Sequence, residues 1–208
     1  MKEDIWRRRG NCWTIGERFE LDRQMGLLTD VVFVVGKDGS TSNFKAHKVI
    51  LASGSPIFEK MFCGTPRDDT NLVRIPDVTA TGFKSVLDSL YDQEVSLSDL
   101  KNAFETYVAA NKYEVARLMM QAELYVSREV TRDTALKILV IAAKLKMRNV
   151  IKRCTSVIED NADYILASDN FITMPWKIVK RIMKMKLKAS QMQVLYAAAR
   201  WRNINGTC

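Results

Sequence analysis

From Gly26 to Phe62 the hydrophobic pattern changes character several times, with no break long enough for a linker. Val31, Val32, Phe33, Val34 and Val35 form a continuous β-branched and aromatic run, the pattern of a strand buried on both faces. Lys37-Asp38-Gly39-Ser40 carries turn chemistry, and Phe44-Lys45-Ala46-His47 returns as the second arm of a hairpin. Ser55-Pro56 reads as an N-cap followed by proline at the first helical position, leading into a short helix over 57–62.

Upstream, the spacing predicts a helix from Trp13 to Met25 with a thin apolar stripe of Ile15, Phe19, Leu21 and Met25. So thin a stripe near a terminus is expected to dock on something. Downstream, 63–71 is a polar loop and Leu72-Val73-Arg74-Ile75 a short strand stopped by Pro76. Thr79 to Tyr91 is a helix whose apolar residues Phe83, Val86, Leu87, Leu90 and Tyr91 fall at helical spacing. Ser98 is the expected cap of the next helix, with Asp99 in its first turn; Asn111-Lys112-Tyr113 is a brief break before a helix over 115–126. From Thr131 onward every segment has helical periodicity: one piece lined by Leu136 and Leu139, one by Val150 and Cys154, a short one over 161–167, one from Pro175 through Met185, and one over 192–201.

Charge changes the picture only at the C-terminal end. Residues 1–143 carry 19 Lys and Arg against 20 Asp and Glu, whereas residues 144–208 carry 13 against 4. Within that end, Lys177 to Lys188 reads as a basic amphipathic helix, which binds calmodulin, membranes or nucleic acid in some proteins but is expected here to be a bundle helix with a lysine-rich outer face. Arg7-Arg8-Arg9 is expected to be a solvated tail. Cys12, Cys63, Cys154 and Cys208 form no CxxC pair and read as reduced thiols. No secretory leader and no spanning segment is visible, so the chain is expected in the cytoplasm, and the sequon at Asn205 carries little weight.

No catalytic constellation emerges. The single histidine, His47, excludes a two-histidine metal site and reads as a packed structural side chain between apolar neighbours. Thr81-Gly82-Phe83-Lys84-Ser85 lacks the spacing of a phosphate loop. Neither a metal, a cofactor nor a small-molecule substrate is expected, and the chain is read as a non-enzyme.

The segments Leu28-Thr29-Asp30-Val31-Val32-Phe33-Val34-Val35, Phe44 to Ser53, Ser55-Pro56-Ile57-Phe58 and Met61-Phe62 together resemble a BTB/POZ domain in order and spacing. Ile75-Pro76-Asp77-Val78 and Ala109 to Tyr113 continue the likeness. Residues 130–205 are similar to a BACK domain, with Asn170-Phe171, Met174-Pro175 and Ala197 to Trp201 as signposts. The subgroup it looks like normally adds a C-terminal PHR-type β-domain, which is expected to be missing here, with the BACK region cut short. The implied fold is α+β: an N-terminal tail and dimerisation helix at 1–25, a BTB/POZ domain at 26–128 and a BACK-like all-α region at 129–208.

The resemblance implies an interaction adaptor whose chemistry belongs to its partners. It implies self-pairing through the first helix and the entry to the first strand, with Ile15, Phe19, Met25, Leu27, Leu28, Asp30 and Lys48 as contact residues; Asp30 and Lys48 match a charged pair of the family. It further implies binding to cullin 3 and presentation of a protein substrate for ubiquitination, through Phe62, Pro66, Arg67, Asp68 and Tyr113. Pro66 and Asp68 stand where the family has a larger apolar residue and glutamate, and Gln191 replaces a BACK-region glutamate. One buried methylene is worth about 0.8 kcal/mol, so such losses weaken cullin binding severalfold without abolishing it. The alternative is a dimerisation scaffold or regulator of longer relatives that does not bind cullin. Nucleic acid and membrane are not the expected partners.

Overall fold

The structure is a computed structural model, and it describes Gly10, Cys12 and residues 14–37, 39–64 and 71–206. The arginine run at 7–9, Trp13, the Asp38 turn position and Pro66, Arg67 and Asp68 lie outside the described residues. The chain forms two compact units, 1–122 and 123–208.

In the first unit, helix α1 (Ile15–Met25) precedes strands β1 (Val31–Val35) and β2 (Ser42–Ala46). Helices α2 (Lys48–Gly54) and α3 (Pro56–Cys63) follow, then β3 (Leu72–Ile75), α4 (Ala80–Leu90) and α5 (Leu100–Lys112). The sheet order is β2-β1-β3. β1 and β2 form the expected antiparallel hairpin, with Val31 opposite Ala46 and Val35 opposite Ser42. β3 lies parallel to β1 on its other side. The central strand departs from its continuous apolar pattern: Val31, Phe33 and Val35 are buried, but Val32 and Val34 only half so, because the second face of the sheet is incompletely covered.

The buried face carries an aromatic core. Phe33 meets Phe83 at 5.0 Å between ring centroids, and Phe58 stacks on Tyr113 at 4.4 Å. Ser55 caps α3 as expected, its hydroxyl accepting from the Phe58 N–H at 3.3 Å while donating to the Tyr113 carbonyl at 2.6 Å. The cap of α5 is one residue later than expected. Asp99, not Ser98, accepts from the third N–H of the helix, that of Asn102, at 2.8 Å. Both residue types cap well, and the carboxylate gains from the helix dipole. α5 also continues through Lys112, so the break begins at Tyr113.

Gly82 has a packing role. A methyl group there would stand 2.5 Å from the Glu105 carbonyl oxygen, so this glycine lets α4 and α5 approach. Beside it, the buried Thr106 hydroxyl donates to Ser85, whose hydroxyl donates to the Thr81 carbonyl, leaving the helix contact fully hydrogen-bonded.

Helix α6 (Ala116–Arg128) contains the division between the units. The second unit continues with α7 (Ala135–Leu145), α8 (Arg148–Asp160), α9 (Ala162–Ala167), α10 (Asp169–Ile172), α11 (Trp176–Ile182) and α12 (Gln191–Asn205). Leu139, Val150, Cys154 and Ile158 are among its buried side chains. Side-chain bonds to main chain hold α12 in place: Trp201 Nε1 donates to the Met174 carbonyl at 2.8 Å and Asn205 Nδ2 to that of Ile172 at 2.8 Å. The sequon asparagine is thus already engaged.

The expected basic helix over 177–188 does not form. α11 ends at Ile182, and from Met183 to Lys188 half-buried Met183, Met185 and Leu187 alternate with exposed Lys184, Lys186 and Lys188. That is a period of two rather than a helical one, and the Lys184 and Met185 N–H groups close a turn on the Arg181 and Ile182 carbonyls. The segment is tied down by the end of α8: the Lys186 and Lys188 N–H groups donate to Glu159, and Lys188 Nζ pairs with Asp160 at 2.6 Å. The apolar side chains Ile178, Val179 and Ile182 are buried. The four-residue α10 had no counterpart in the sequence pattern.

Two outcomes test these packing assignments. Gly82→Ala should lower unfolding stability by roughly 1–3 kcal/mol in a denaturant titration, although alanine is the better helix former by about 1 kcal/mol; equal or greater stability would refute the close-approach role. Burial pushes the Cys154 thiol up to about 12, so at pH 8 it should react with a disulfide reagent only after unfolding. Labelling of Cys154 in the native protein at the rate of a free thiol would contradict its placement.

Candidate interaction surface

The helix expected to dock carries its polarity reversed. Its ends are firmly set: Thr14 and Glu17 form a capping box, with N–H to side-chain bonds of 3.1 and 3.0 Å. At the other end Gly26 is left-handed at φ 68°, its N–H donating to the Arg23 carbonyl while the Leu27 N–H reaches that of Asp22 at 2.8 Å. Between these caps Glu20 and Asp22 are buried, at 7% and 5% exposure, while Ile15 is 71% exposed and Met25 also faces solvent. Arg23 answers the buried charge, holding Glu20 through two bonds of 2.6 and 2.7 Å and lying 5.3 Å over the Tyr91 ring. Burial opposes the charge on its guanidinium, but the Glu20 hydrogen bond and the charges of Glu20 and Asp88 prevail and hold its pKa above the ordinary value. Of the apolar stripe, Phe19 alone packs firmly inward, edge-on to the His47 ring at 5.5 Å.

His47 ties this helix exit to the domain. Its Nε2 faces the Leu27 carbonyl at 2.9 Å, which can only accept, so Nε2 carries the proton. Nδ1, 2.8 Å from the Tyr91 hydroxyl, is then the acceptor in the neutral ring, and the same hydroxyl accepts from the His47 N–H at 2.9 Å. Both ring nitrogens and the N–H of His47 are thus hydrogen-bonded. Burial pushes the Tyr91 phenol up to about 12. Among the described residues no group of three or more His, Cys, Asp or Glu could hold a metal ion.

Immediately after Leu27, Leu28 sits in the left-handed region at φ 56° with its side chain 76% exposed. For a leucine that backbone costs on the order of 1–2 kcal/mol, and burial within the subunit does not offset it. Asp30 and Lys48 do meet, but through the main chain: Asp30 Oδ1 accepts from the Lys48 N–H at 2.7 Å, capping α2, while the Lys48 ammonium bonds Asn71 Oδ1 at 3.2 Å. The structure therefore brings Leu27, Asp30 and Lys48 together around His47 and leaves Ile15, Met25 and Leu28 presented to solvent. Val49, exposed at the start of α2, is a further apolar candidate. Sequence reasoning missed it because a seven-residue helix is too short for periodicity to assign its sides.

The cullin-contact residues divide differently. Phe62 and Tyr113 are core side chains, stacked on Phe58 from opposite directions in the sequence, and present almost no surface. Burial, with the Asp77 charge adding to it, drives the Tyr113 phenol pKa far above its ordinary value. Both were expected as partner-contact residues, and the structure places both side chains in the core beside Phe58.

The profile of the BTB/POZ domain matches residues 19–129. BTB/POZ domain-containing protein 3 of Homo sapiens is 30% identical over 192 residues, covering 92% of this chain and 37% of that protein. BTB/POZ domain-containing protein 6 of Homo sapiens is 29% identical over 189 residues, 90% of this chain and 35% of that protein. Protein 6-B of Danio rerio is 29% identical over 186 residues, 89% of this chain and 38% of its own. The chain thus spans somewhat over a third of the length of these relatives.

Tyr91 gives a test with a definite sign. Its folded pKa is raised from 10 to about 12, so its contribution is fully present below pH 10 and is lost as pH rises through about 12. Tyr91→Phe should remove that alkaline loss and, at neutral pH, cost about 1–3 kcal/mol by leaving His47 Nδ1 and N–H unpaired. Chemical denaturation of both proteins across the alkaline range measures both effects, and unchanged stability at neutral pH would overturn the assigned network.

Proposed function

This chain belongs to the BTB/POZ family, and on that premise we propose that it is a non-catalytic adaptor that pairs with itself and bridges cullin 3 to a protein substrate in a cytoplasmic ubiquitin ligase. As a BTB/POZ protein it is a protein–protein interaction module. No helix among the described residues is long and apolar enough to cross a membrane.

The observation that carries self-pairing is Leu28, strained and exposed, beside the exposed ends of an α1 whose inward face is charged. An exposed apolar side chain on an unfavourable backbone is stabilised when a partner buries it, and a two-fold contact would bury Ile15, Met25 and Leu28 from both copies. Residues 129–208 would act as a BACK-like region beside this BTB domain.

Cullin binding would rest on the loop at Pro66, Arg67 and Asp68, supported by Phe62 and Tyr113. The burial of those two aromatic side chains favours a second reading, in which the chain pairs with itself or longer relatives and does not engage cullin. Titration calorimetry of the purified chain against the cullin 3 N-terminal region separates the readings. The adaptor predicts saturable binding with one cullin per chain, weakened at least severalfold by Asp68→Lys. Absence of heat at tens of micromolar would leave only the scaffold.

A further inference from the structure

The second unit holds an apolar cleft of about 320 Å³ between α11 and α12, lined by Trp176, Val179, Met183, Ala198, Trp201 and Arg202. Its floor is fixed: Trp201 is buried and its Nε1 is bound to the Met174 carbonyl at 2.8 Å. Its wall is open, since Trp176 stands 5.3 Å from Trp201 and is 48% exposed. A contacting pair of indoles beside a guanidinium presents the residue types that anchor protein interfaces.

The charge around the cleft is one-sided. Among the described residues Arg202 is its only charged lining residue, with no carboxylate beside it. Lys180 lies between Trp176 and Met183 at helical spacing, and neither it nor Arg202 has a carboxylate partner among the described residues. Of the acids at this end of the chain, Asp160 pairs with Lys188, Asp169 with Arg200, and the Glu159 carboxylate accepts from the Lys186 N–H. α12 extends the apolar surface beyond the cleft through exposed Met192, Leu195 and Tyr196.

We infer that this cleft docks an acidic segment of a partner protein, which lays one large apolar side chain against the exposed Trp176 and the apolar lining and sets carboxylates against Arg202 and Lys180. The site is separate from self-pairing and from cullin binding, neither of which uses these residues. Charge would steer the encounter and choose the partner, and the indoles would supply the buried contact.

The test is selection of a random library of short displayed peptides on the full chain, followed by fluorescence anisotropy with synthetic copies of the enriched sequences. The enriched peptides should combine Asp or Glu with an aromatic residue or leucine. Their affinity should fall about tenfold with Trp176→Ala and again with the exposed charge reversal Arg202→Glu, and should weaken as salt rises. Circular dichroism confirms that each variant is folded, and Arg202→Glu, being a surface change, keeps the test decisive if Trp176→Ala disturbs α11. Failure to enrich any peptide, enrichment without acidic bias, or affinity indifferent to both variants would overturn the inference. So would a change of oligomeric state in Trp176→Ala, which would make the occupant a second copy of this chain.

Discussion

A buried imidazole between a main-chain carbonyl and a phenol sets the geometry of the first unit's exposed edge. His47 joins the exit of α1, the end of β2 and the end of α4 through Leu27 and Tyr91. Because the Leu27 carbonyl is held there, the chain has one route from the left-handed Gly26 to β1, and that route puts Leu28 in a left-handed conformation facing water. Asp30, one step on, caps α2. Replacing the ring by a side chain with a single polar atom would release one of these contacts and the register of the others with it.

The same edge explains why α1 buries charge and exposes carbon. Arg23 satisfies Glu20 and covers Tyr91, so the inward face of the helix is an ion-pair and cation–π contact with the hub. Such a contact contributes specificity of placement more than net stability. Phe19 apart, the apolar residues Ile15 and Met25 are left exposed. Under the proposed self-pairing, attachment by charge and presentation of carbon belong together in such an element.

Much of this was legible in the residues. The hairpin, the Ser55-Pro56 cap and the helical stripe of α4 follow from local rules, and His47 was readable as structural from its apolar neighbours alone. Other features depended on contacts far apart in sequence. Nothing in the spacing of Glu20, Asp22 and Arg23 reveals that this side turns inward, because the groups Arg23 meets, Asp88 and Tyr91, lie on and just after α4. Phe62 and Tyr113 have surface-compatible neighbours in sequence, and only the stacking on Phe58 places them inside. The Met-Lys alternation after Ile182 is a different case. Its period of two was visible, and the helical reading lost sight of it by extending the pattern of α11 too far.

The account stands on Leu28 as a residue whose strain is offset by burial in a second copy. Replacing it by glycine relieves the backbone and deletes the contact, so Leu28→Gly acts in opposite directions on the subunit and on the pair. Sedimentation equilibrium combined with thermal unfolding of the wild type and this variant reads both. The account predicts a wild-type dimer, and a Leu28→Gly protein that is predominantly monomeric yet unfolds with its subunit stability preserved. A wild-type monomer, or a variant that dimerises as tightly as the wild type, would contradict it.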